Sequence, residues 1–286
     1  MSLEAPFPTG PDPRPEVVAD WVEFQALARR SSFKRGDLKS ALASEDLRDP
    51  DLIEQLVWTE LVRRSEMFGD LWPLRLGGPR LSRRSPVPGS LAAYRFLCCL
   101  GMGLIDAEDR GYFELLVAEL LSDLSGHRSM HIGAPASSGM PTSFRERVTL
   151  YADAAGFLPE QRLSSPLPDD KDLGVDAVTW KPFRDGRSGY LHFLAQCATG
   201  EDWKTKFDDL RLSNWELHLV WGVPPVRVFA VPFTIMVKNN VKWLRTCAAA
   251  GLVLDRPRLV EIASRVPLSS ALERTLRRRV EQLAVV

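Results

Sequence analysis

Two apolar segments joined by a polar turn, within residues 173–207, constrain this chain more than any other stretch. Short apolar runs bounded by Gly and polar residues predict strands, here Val175–Trp180 and Tyr190–Cys197. Asp176 lies near the start of the first strand, and Gln196 lies near the end of the second. A carboxylate and an amide at neighbouring ends of paired strands predict a polar site at that edge of the sheet.

The bulk composition is that of an ordinary globular protein. The chain has 286 residues, 45% of them hydrophobic and 26% charged, which is long enough for two domains or one large one. Its 37 Lys and Arg residues balance 37 Asp and Glu residues. This neutral balance argues against a protein that binds nucleic acid through its overall charge, although it allows a local basic groove.

The sequence also carries information about the compartment. None of the four cysteines forms a CxxC pair, and their apolar surroundings favour buried thiols in a reducing compartment over disulfides or a zinc site. The N-terminus lacks the basic start and apolar core of a signal peptide. The longest apolar run, Phe96–Ile105, is too short to span a bilayer. We therefore expect a cytoplasmic protein with no membrane association.

Periodicity divides the chain into two parts. Residues up to about 125 show helical spacing and predict an all-α N-terminal region, with a loop over 71–89. A segment rich in Gly, Ser and Pro, Gly126–Pro141, predicts a boundary. We therefore expect a helical region over 1–135 that binds DNA or a partner, and a second domain over 136–286. The second domain alternates helices and strands, which predicts an α/β fold with a small mixed sheet flanked by helices.

Several of the predicted helices carry an assigned buried stripe. The helix Asp51–Phe68 is expected to bury Leu52, Leu56, Val57 and Leu61, and the helix Asn239–Gly251 to bury Trp243 and Leu244. A further helix is expected over Glu201–Leu212. His127 and His131 are spaced by four residues, but the Gly and Ser around them make a helical metal pair improbable.

The polar site predicted between the two strands suits phosphodiester chemistry. Hydrolysis at neutral pH needs an activated water and a cation that neutralises charge on phosphorus, and a divalent metal supplies both. Mg²⁺ or Mn²⁺ prefers oxygen ligands, which Asp176 and Gln196 would provide as metal-binding residues. Lys206 lies roughly 60° from the buried stripe of its predicted helix and Lys204 roughly 100° away on the other side. Lys206 is therefore the better candidate for a lysine that points inward.

These residues resemble the core of the PD-(D/E)XK nuclease superfamily, most closely its restriction-endonuclease-like Mrr branch. The resemblance rests on Asp172-Leu173-Gly174-Val175-Asp176, followed by Phe193-Leu194-Ala195-Gln196, and covers the C-terminal half of the chain. It implies a restriction-endonuclease-like fold in which Asp176 and Gln196 hold the metal and Glu146 is an auxiliary acid on the first helix.

The resemblance departs from the family at one catalytic position. The lysine of the family lies two residues after the Glu or Gln, and this chain has Ala198 there. Some members of the superfamily carry the lysine on the following helix, where Lys206 or Lys204 would serve. The expected function is a Mg²⁺-dependent endonuclease acting on DNA in restriction or phage defence. The alternative is a catalytically inactive nuclease-fold subunit that binds nucleic acid, a partner protein or a second copy of itself.

Structural roles compete with each of these assignments. Ser143 and Glu146 match a capping box, which needs Glu for backbone reasons alone. Asp172 and Asp176 would also cap a turn and pair with Arg184 or Lys181. Gln196 would satisfy a strand end, and either lysine would lie on a solvated helix face. A dense basic cluster early in the chain would bind a nucleic-acid backbone or remain solvated; it comprises Arg29, Arg30, Lys34, Arg35 and Lys39.

Overall fold

The structure is a computed structural model. It describes residues 5–8, 10, 12–28, 32–86, 89, 91–104, 106–125, 128–134, 136, 139–167, 170–237 and 239–283, with the side chains of 123–125 excepted. In this part of the chain the α-helices are α1 (Pro15–Ala28), α2 (Arg35–Ala43), α3 (Pro50–Phe68), α4 (Leu91–Gly101), α5 (Ala107–Ser125), α6 (Phe144–Ala154), α7 (Leu212–Trp215), α8 (Asn240–Ala250), α9 (Arg256–Arg265) and α10 (Ser270–Leu283). The strands are β1 (Phe33–Lys34), β2 (Leu74–Gly77), β3 (Arg80–Arg83), β4 (Arg128–His131), β5 (Ala177–Trp180), β6 (His192–Cys197), β7 (Val226–Ala230) and β8 (Leu252–Leu254).

The chain folds into two compact units, so its coarse class is mixed α/β. The first unit comprises 1–106, 232–234 and 256–286, and the second comprises 107–231 and 235–255. This division differs from the boundary expected at residue 135. The helix α5 belongs to the second unit because it packs against the strands β4, β5 and β6. The last two helices return to the first unit, where both pack against α4.

The first unit is built around α1, which is buried along nearly its whole length. Its buried face includes two acids, Asp20 and Glu23. Arg256 donates two hydrogen bonds to Asp20, at 2.6 and 2.8 Å, and Arg64 donates to Asp20 at 2.5 Å and to Glu23 at 3.0 Å. Burial alone would raise the pKa of Asp20, but the two guanidinium groups outweigh it and hold that pKa below its ordinary value.

The first unit also contains a sheet, so the prediction of an all-α N-terminal region is wrong. The strands β2 and β3 form a hairpin within the expected loop, and β1 pairs with β3 to give the order β1-β3-β2. Leu74, Leu76 and Leu81 alternate with arginine and glycine, so each strand contributes at most two apolar residues. Strands this short and this polar escape a periodicity analysis based on apolar residues.

The buried faces of two helices also differ from prediction. On α3, Leu52 and Leu56 are 48% and 43% exposed, and the buried face instead includes Glu54, Glu60 and Arg64. Val57 and Leu61 are buried as predicted, so the predicted stripe is half right; it is incomplete because the buried face also carries charges that are paired inside the protein. On α8, Leu244 is 64% exposed and Trp243 is half-buried.

The second unit contains a five-stranded mixed sheet with the order β4-β5-β6-β7-β8. The pairs β4–β5 and β5–β6 are antiparallel, whereas β6–β7 and β7–β8 are parallel. The predicted strands at 175–180 and 190–197 are confirmed as β5 and β6. Both β4 and the three-residue β8 were missed.

Two layers cover this sheet. On one face, α6 contributes Phe144, Val148 and Tyr151 to an apolar cluster that also contains Val178 and Trp180 of the sheet. The helix α5 covers β4, β5 and β6 from the other side. The helix predicted over 201–212 is instead a 3-10 helix, Trp203–Asp208, followed by the short α7. The chain bends there because the backbone at Asp209 and Leu210 lies against Gly174.

In the described residues, no helix combines the length and the apolar character that crossing a membrane requires.

The buried ion cluster of the first unit yields a stability prediction. Replacing Arg256 by Met leaves Asp20 and Glu23 buried with one counter-charge fewer, which should lower the free energy of unfolding by about 3–5 kcal/mol. Arg277→Met provides the matched control, because Arg277 is exposed and its ion pair among the described residues is with Glu273, one turn away. The control should cost about 0.5 kcal/mol or less. Urea unfolding followed by circular dichroism measures the free energy of unfolding of both variants. Equal decreases in the two variants would contradict the role of Arg256 as a counter-charge for the buried acids.

Candidate functional site

Three polar side chains from different elements meet beside Gly133. A Cβ atom at Gly133 would lie 2.7 Å from Glu114 Oε2, 3.0 Å from Asp176 Oδ1 and 3.1 Å from His131 Nε2. Glu114 comes from α5, His131 ends β4, and Asp176 immediately precedes β5. Glu114 Oε2 and His131 Nε2 are hydrogen-bonded at 2.5 Å. A side chain at 133 would have to displace the ends of these three side chains.

A tight turn places Asp176 at this point. Asp172 O accepts a hydrogen bond from Val175 N at 3.0 Å, and its Oδ1 accepts one from Gly174 N at 2.9 Å. Leu173 and Gly174 both have left-handed backbone angles, with φ of 51° and 75°. At 174 only glycine fits, because a Cβ would lie 2.5 Å from Asp209 O. The structural role considered for Asp172, that of capping a turn, is therefore confirmed.

Backbone hydrogen bonds then fix the carboxylate of Asp176. The amides of Ile132 and Gly133 both donate to Asp176 O, at 2.8 and 2.9 Å, which brings the end of β4 against Asp176. Cys197 N donates to Asp176 Oδ2 at 2.6 Å. The carboxylate is thus held between β4 and β6, with Oδ1 directed toward Glu114 and His131.

Arg147 supports the loops around the site. This α6 residue is 2% exposed, and its guanidinium donates to four backbone carbonyls. These are Ile132 O at 2.8 Å, Pro141 O at 3.0 Å, Thr142 O at 2.6 Å and Lys171 O at 3.2 Å. One rigid cation therefore ties the loop that carries Gly133 to the segment that precedes Asp176.

The electrostatics of Asp176 are unusual. Burial raises the pKa of this carboxyl well above its ordinary value, and the neighbouring charge of Glu114 raises it further. The amide of Cys197 and the ammonium of Lys206 lower that pKa only in part. Burial likewise raises the pKa of the Cys197 thiol, with Asp176 and Glu114 adding to the effect. Cys197 is therefore a neutral thiol beside the site and not a nucleophile.

The other predicted site residues lie at different distances from this centre. Gln196 is 5% exposed, and its Nε2 lies 3.4 Å from Asp209 Oδ2. Lys206 is half-buried, and its charge acts on Asp176. Lys204 is exposed, and its Nζ lies 5.3 Å from the centre of the Trp203 ring. Of the two lysines, Lys206 therefore faces the carboxylates.

The acid contributed by a helix is Glu114 and not Glu146. Glu146 is exposed on α6, and the helix end beside it shows no side-chain capping hydrogen bond. Glu114 was missed because α5 had been assigned to the N-terminal region. A signal for it exists in the sequence, since Glu114 is in helical phase with the buried Val117 and Leu121. An acid inside an apolar stripe requires a partner.

The histidine pair considered from the sequence does not lie on a helix. His127 lies outside the described residues, and His131 belongs to a strand. His131 is 5% exposed, and within the described structure its buried Nδ1 has no hydrogen-bond partner. A buried ring nitrogen normally has a hydrogen-bond partner, so this one can bond to water or to a ligand.

The donor set fits a hard divalent cation. Asp176 and Glu114 supply carboxylate oxygens at one point, whereas the contact of Gln196, the other expected ligand, is from its Nε2 to Asp209 Oδ2. Among the described residues, no three His, Cys, Asp or Glu side chains are grouped so that they would hold an ion by themselves. Mg²⁺ is commonly held by one or two carboxylates with water completing the shell, which matches this arrangement.

Comparison with known proteins gives no match to any family model, any curated protein or any solved structure. The function must therefore be argued from the geometry of the site.

Substitution of Gly133 tests the convergence of the three side chains. Gly133→Ala should displace Glu114 and Asp176 and lower the melting temperature, because its Cβ would approach both carboxylates to 3.0 Å or less. Gly36→Ala is the control, since a Cβ at this helical position meets nothing within 4 Å. The control should be neutral or stabilising by roughly 0.5–1 kcal/mol. A lower melting temperature for Gly36→Ala than for Gly133→Ala would contradict the convergence of the three side chains beside Gly133.

The raised pKa of Asp176 predicts a pH-dependent stability. The folded state binds the Asp176 proton more tightly than the unfolded state does, so this group destabilises the metal-free fold increasingly as pH rises through the folded pKa. Asp176→Asn removes that cost. In EDTA, the melting temperature of the variant should exceed that of the native protein at pH 8 by about 2–4 °C, and the gap should shrink as pH falls toward 4.

Asp185→Asn, on an exposed turn, controls for the loss of one carboxylate and should leave the melting temperature unchanged at both pH values. A gap between Asp176→Asn and the native protein that stays constant with pH would show that Asp176 is not electrostatically strained.

Proposed function

We propose that the second unit is a metal-dependent phosphodiesterase of the endonuclease type that acts on DNA. The observation that carries this proposal is the convergence of Glu114 and Asp176 beside Gly133, with no arginine donating to either carboxylate in the described structure. Two such carboxylates repel one another, and a divalent cation between them would remove the cost. Such pairs of carboxylates are typical of sites that cleave phosphodiesters through a metal.

The topology of the second unit supports a restriction-endonuclease-like fold. The helix α5 is followed by β4, then by the helix α6 and by the strands β5 and β6; the neighbours β4, β5 and β6 are antiparallel, and β7 returns parallel to β6. Apart from the inserted α6, this order of helix, strands, crossover and strand agrees with the resemblance to the PD-(D/E)XK superfamily found in the sequence. The helix that supplies the acid is then α5 and not α6. The setting of restriction or phage defence rests on fold-level analogy alone.

Each side chain has a definite task in this proposal. Asp176, Glu114 and Gln196 would hold the metal, which when bound would supply an activated water and neutralise charge on the phosphate. The ammonium of Lys206 would stabilise the charge that develops on the phosphate oxygens. His131 is hydrogen-bonded to Glu114 and fixes the orientation of that carboxylate. The Cys197 amide does the same for Asp176.

A second candidate is a catalytically inactive subunit with the same fold. Ala198, at the position of the family lysine, is fully buried, and its amide donates to Ala230 O between β6 and β7. That position is therefore part of the core, and no lysine could occupy it without rebuilding the sheet. Only a lysine from another element, such as Lys206, would make the site active.

The two lysines provide a matched experiment. Purified protein should convert supercoiled plasmid to nicked or linear DNA in Mg²⁺ or Mn²⁺. Lys206→Ala should lower the rate by about 100-fold or more, as loss of a transition-state donor does. Lys204→Ala removes the same charge from an exposed position, and its rate should stay within about twofold of the native rate.

Asp176→Ala and Glu114→Gln should both abolish cleavage, whereas Glu146→Gln should not. Cleavage that survives Asp176→Ala would refute the proposed site. Absence of cleavage by the native protein, together with unchanged melting temperature in Mn²⁺, would favour the inactive subunit.

A further inference from the structure

The three-stranded sheet of the first unit presents a basic face to solvent. Side chains alternate across a strand, so Leu81, Phe33 and Leu76 share the buried face of this sheet. The opposite face carries Lys34, Arg75, Arg80, Ser82 and Gly77. The three cations on it are exposed. We call this surface, made by these five residues, the basic sheet face.

Two of these cations are cross-strand neighbours. Lys34 on β1 pairs in register with Arg80 on β3, and Arg75 on β2 pairs with Ser82, two residues along β3. Like charges directly opposite each other destabilise a sheet. Within the described residues, no acidic side chain forms an ion pair with any of the three cations. Nearby Arg35 and Arg84, in contrast, are paired with Glu54 and Asp70.

The basic sheet face carries no apolar side chain among its five residues. Gly77 lies in the same row as Arg80, and a Cβ there would meet nothing within 4 Å. The hydroxyl of Ser82 makes a long contact of 3.5 Å with Arg75 O on the neighbouring strand. A ligand can therefore approach the backbone closely between the cations. Membrane-surface binding favours apolar groups beside the charges, and this face has none.

We propose that the basic sheet face binds the phosphodiester backbone of nucleic acid. Several cations that repel one another on a polar surface are stabilised by a polyanion whose phosphates repeat at regular spacing, and such contacts carry no sequence information. The overall neutrality of the chain is compatible with this, because the charge is local. The inference does not depend on the carboxylate site of the second unit.

Salt-dependent binding of a labelled 30-base-pair DNA duplex in EDTA tests this proposal. Fluorescence anisotropy over a range of NaCl concentrations gives the slope of log K against log salt. The variant Arg75→Gln/Arg80→Gln should bind more weakly, and its slope should be shallower by about two, since each lost phosphate contact removes about 0.9. Without DNA its melting temperature should be unchanged or higher, because Lys34 loses a like-charged neighbour.

The matched control is Arg274→Gln/Arg278→Gln, which removes two exposed arginines from α10. It should bind the duplex as the native protein does. The titration is carried out in EDTA, without the divalent cation that cleavage would need, so failure of the phosphodiesterase proposal would leave this result intact.

Three outcomes would overturn the proposal. The native protein could fail to bind the duplex at 50 mM salt. The two double variants could show the same slope. Vesicles of phosphatidylserine and phosphatidylcholine could lose binding in Arg75→Gln/Arg80→Gln while the duplex does not, which would assign the face to anionic lipid.

Discussion

The repulsion between two carboxylates governs the organisation of the second unit. Glu114 and Asp176 approach the same point from a helix and from a strand, and burial raises the pKa of Asp176 well above its ordinary value. Three features keep these carboxylates together. They are the space at Gly133, the turn before Asp176 and the hydrogen bonds from Arg147 to backbone carbonyls. This pair of carboxylates therefore lowers the stability of the fold, which is common at functional sites.

The first unit shows how the same chain treats buried acids that have a structural role. Asp20 receives three hydrogen bonds from Arg64 and Arg256, and these keep its pKa below the ordinary value despite burial. Asp176 receives one backbone amide and the weaker influence of Lys206. Arginines neutralise the acids of the first cluster, whereas no arginine of the described structure donates to Glu114 or Asp176. An external cation therefore explains the pair of Glu114 and Asp176 better than packing does.

The sequence predicted the parts of the site that are local and missed those that are not. Asp176 follows from its place beside a strand end within one short stretch, whereas the α-helical phase that favoured Lys206 was applied to a segment that forms a 3-10 helix. Glu114 lies 62 positions before Asp176, and only the packing of α5 on the sheet brings them together. Strands β2 and β3 were missed for a different reason, because their arginines face solvent and leave too few apolar residues to show a period of two.

Calorimetric titration of the metal-free protein with Mn²⁺ tests the central claim most directly. The account predicts one ion per chain, with protons released on binding because the cation replaces the proton that Asp176 holds tightly. Proton release, measured by repeating the titration in buffers of different ionisation enthalpy, should vanish in Asp176→Asn and persist in Asp185→Asn. Absence of binding at millimolar Mn²⁺, or binding of equal strength and proton release in Asp176→Asn, would contradict the account.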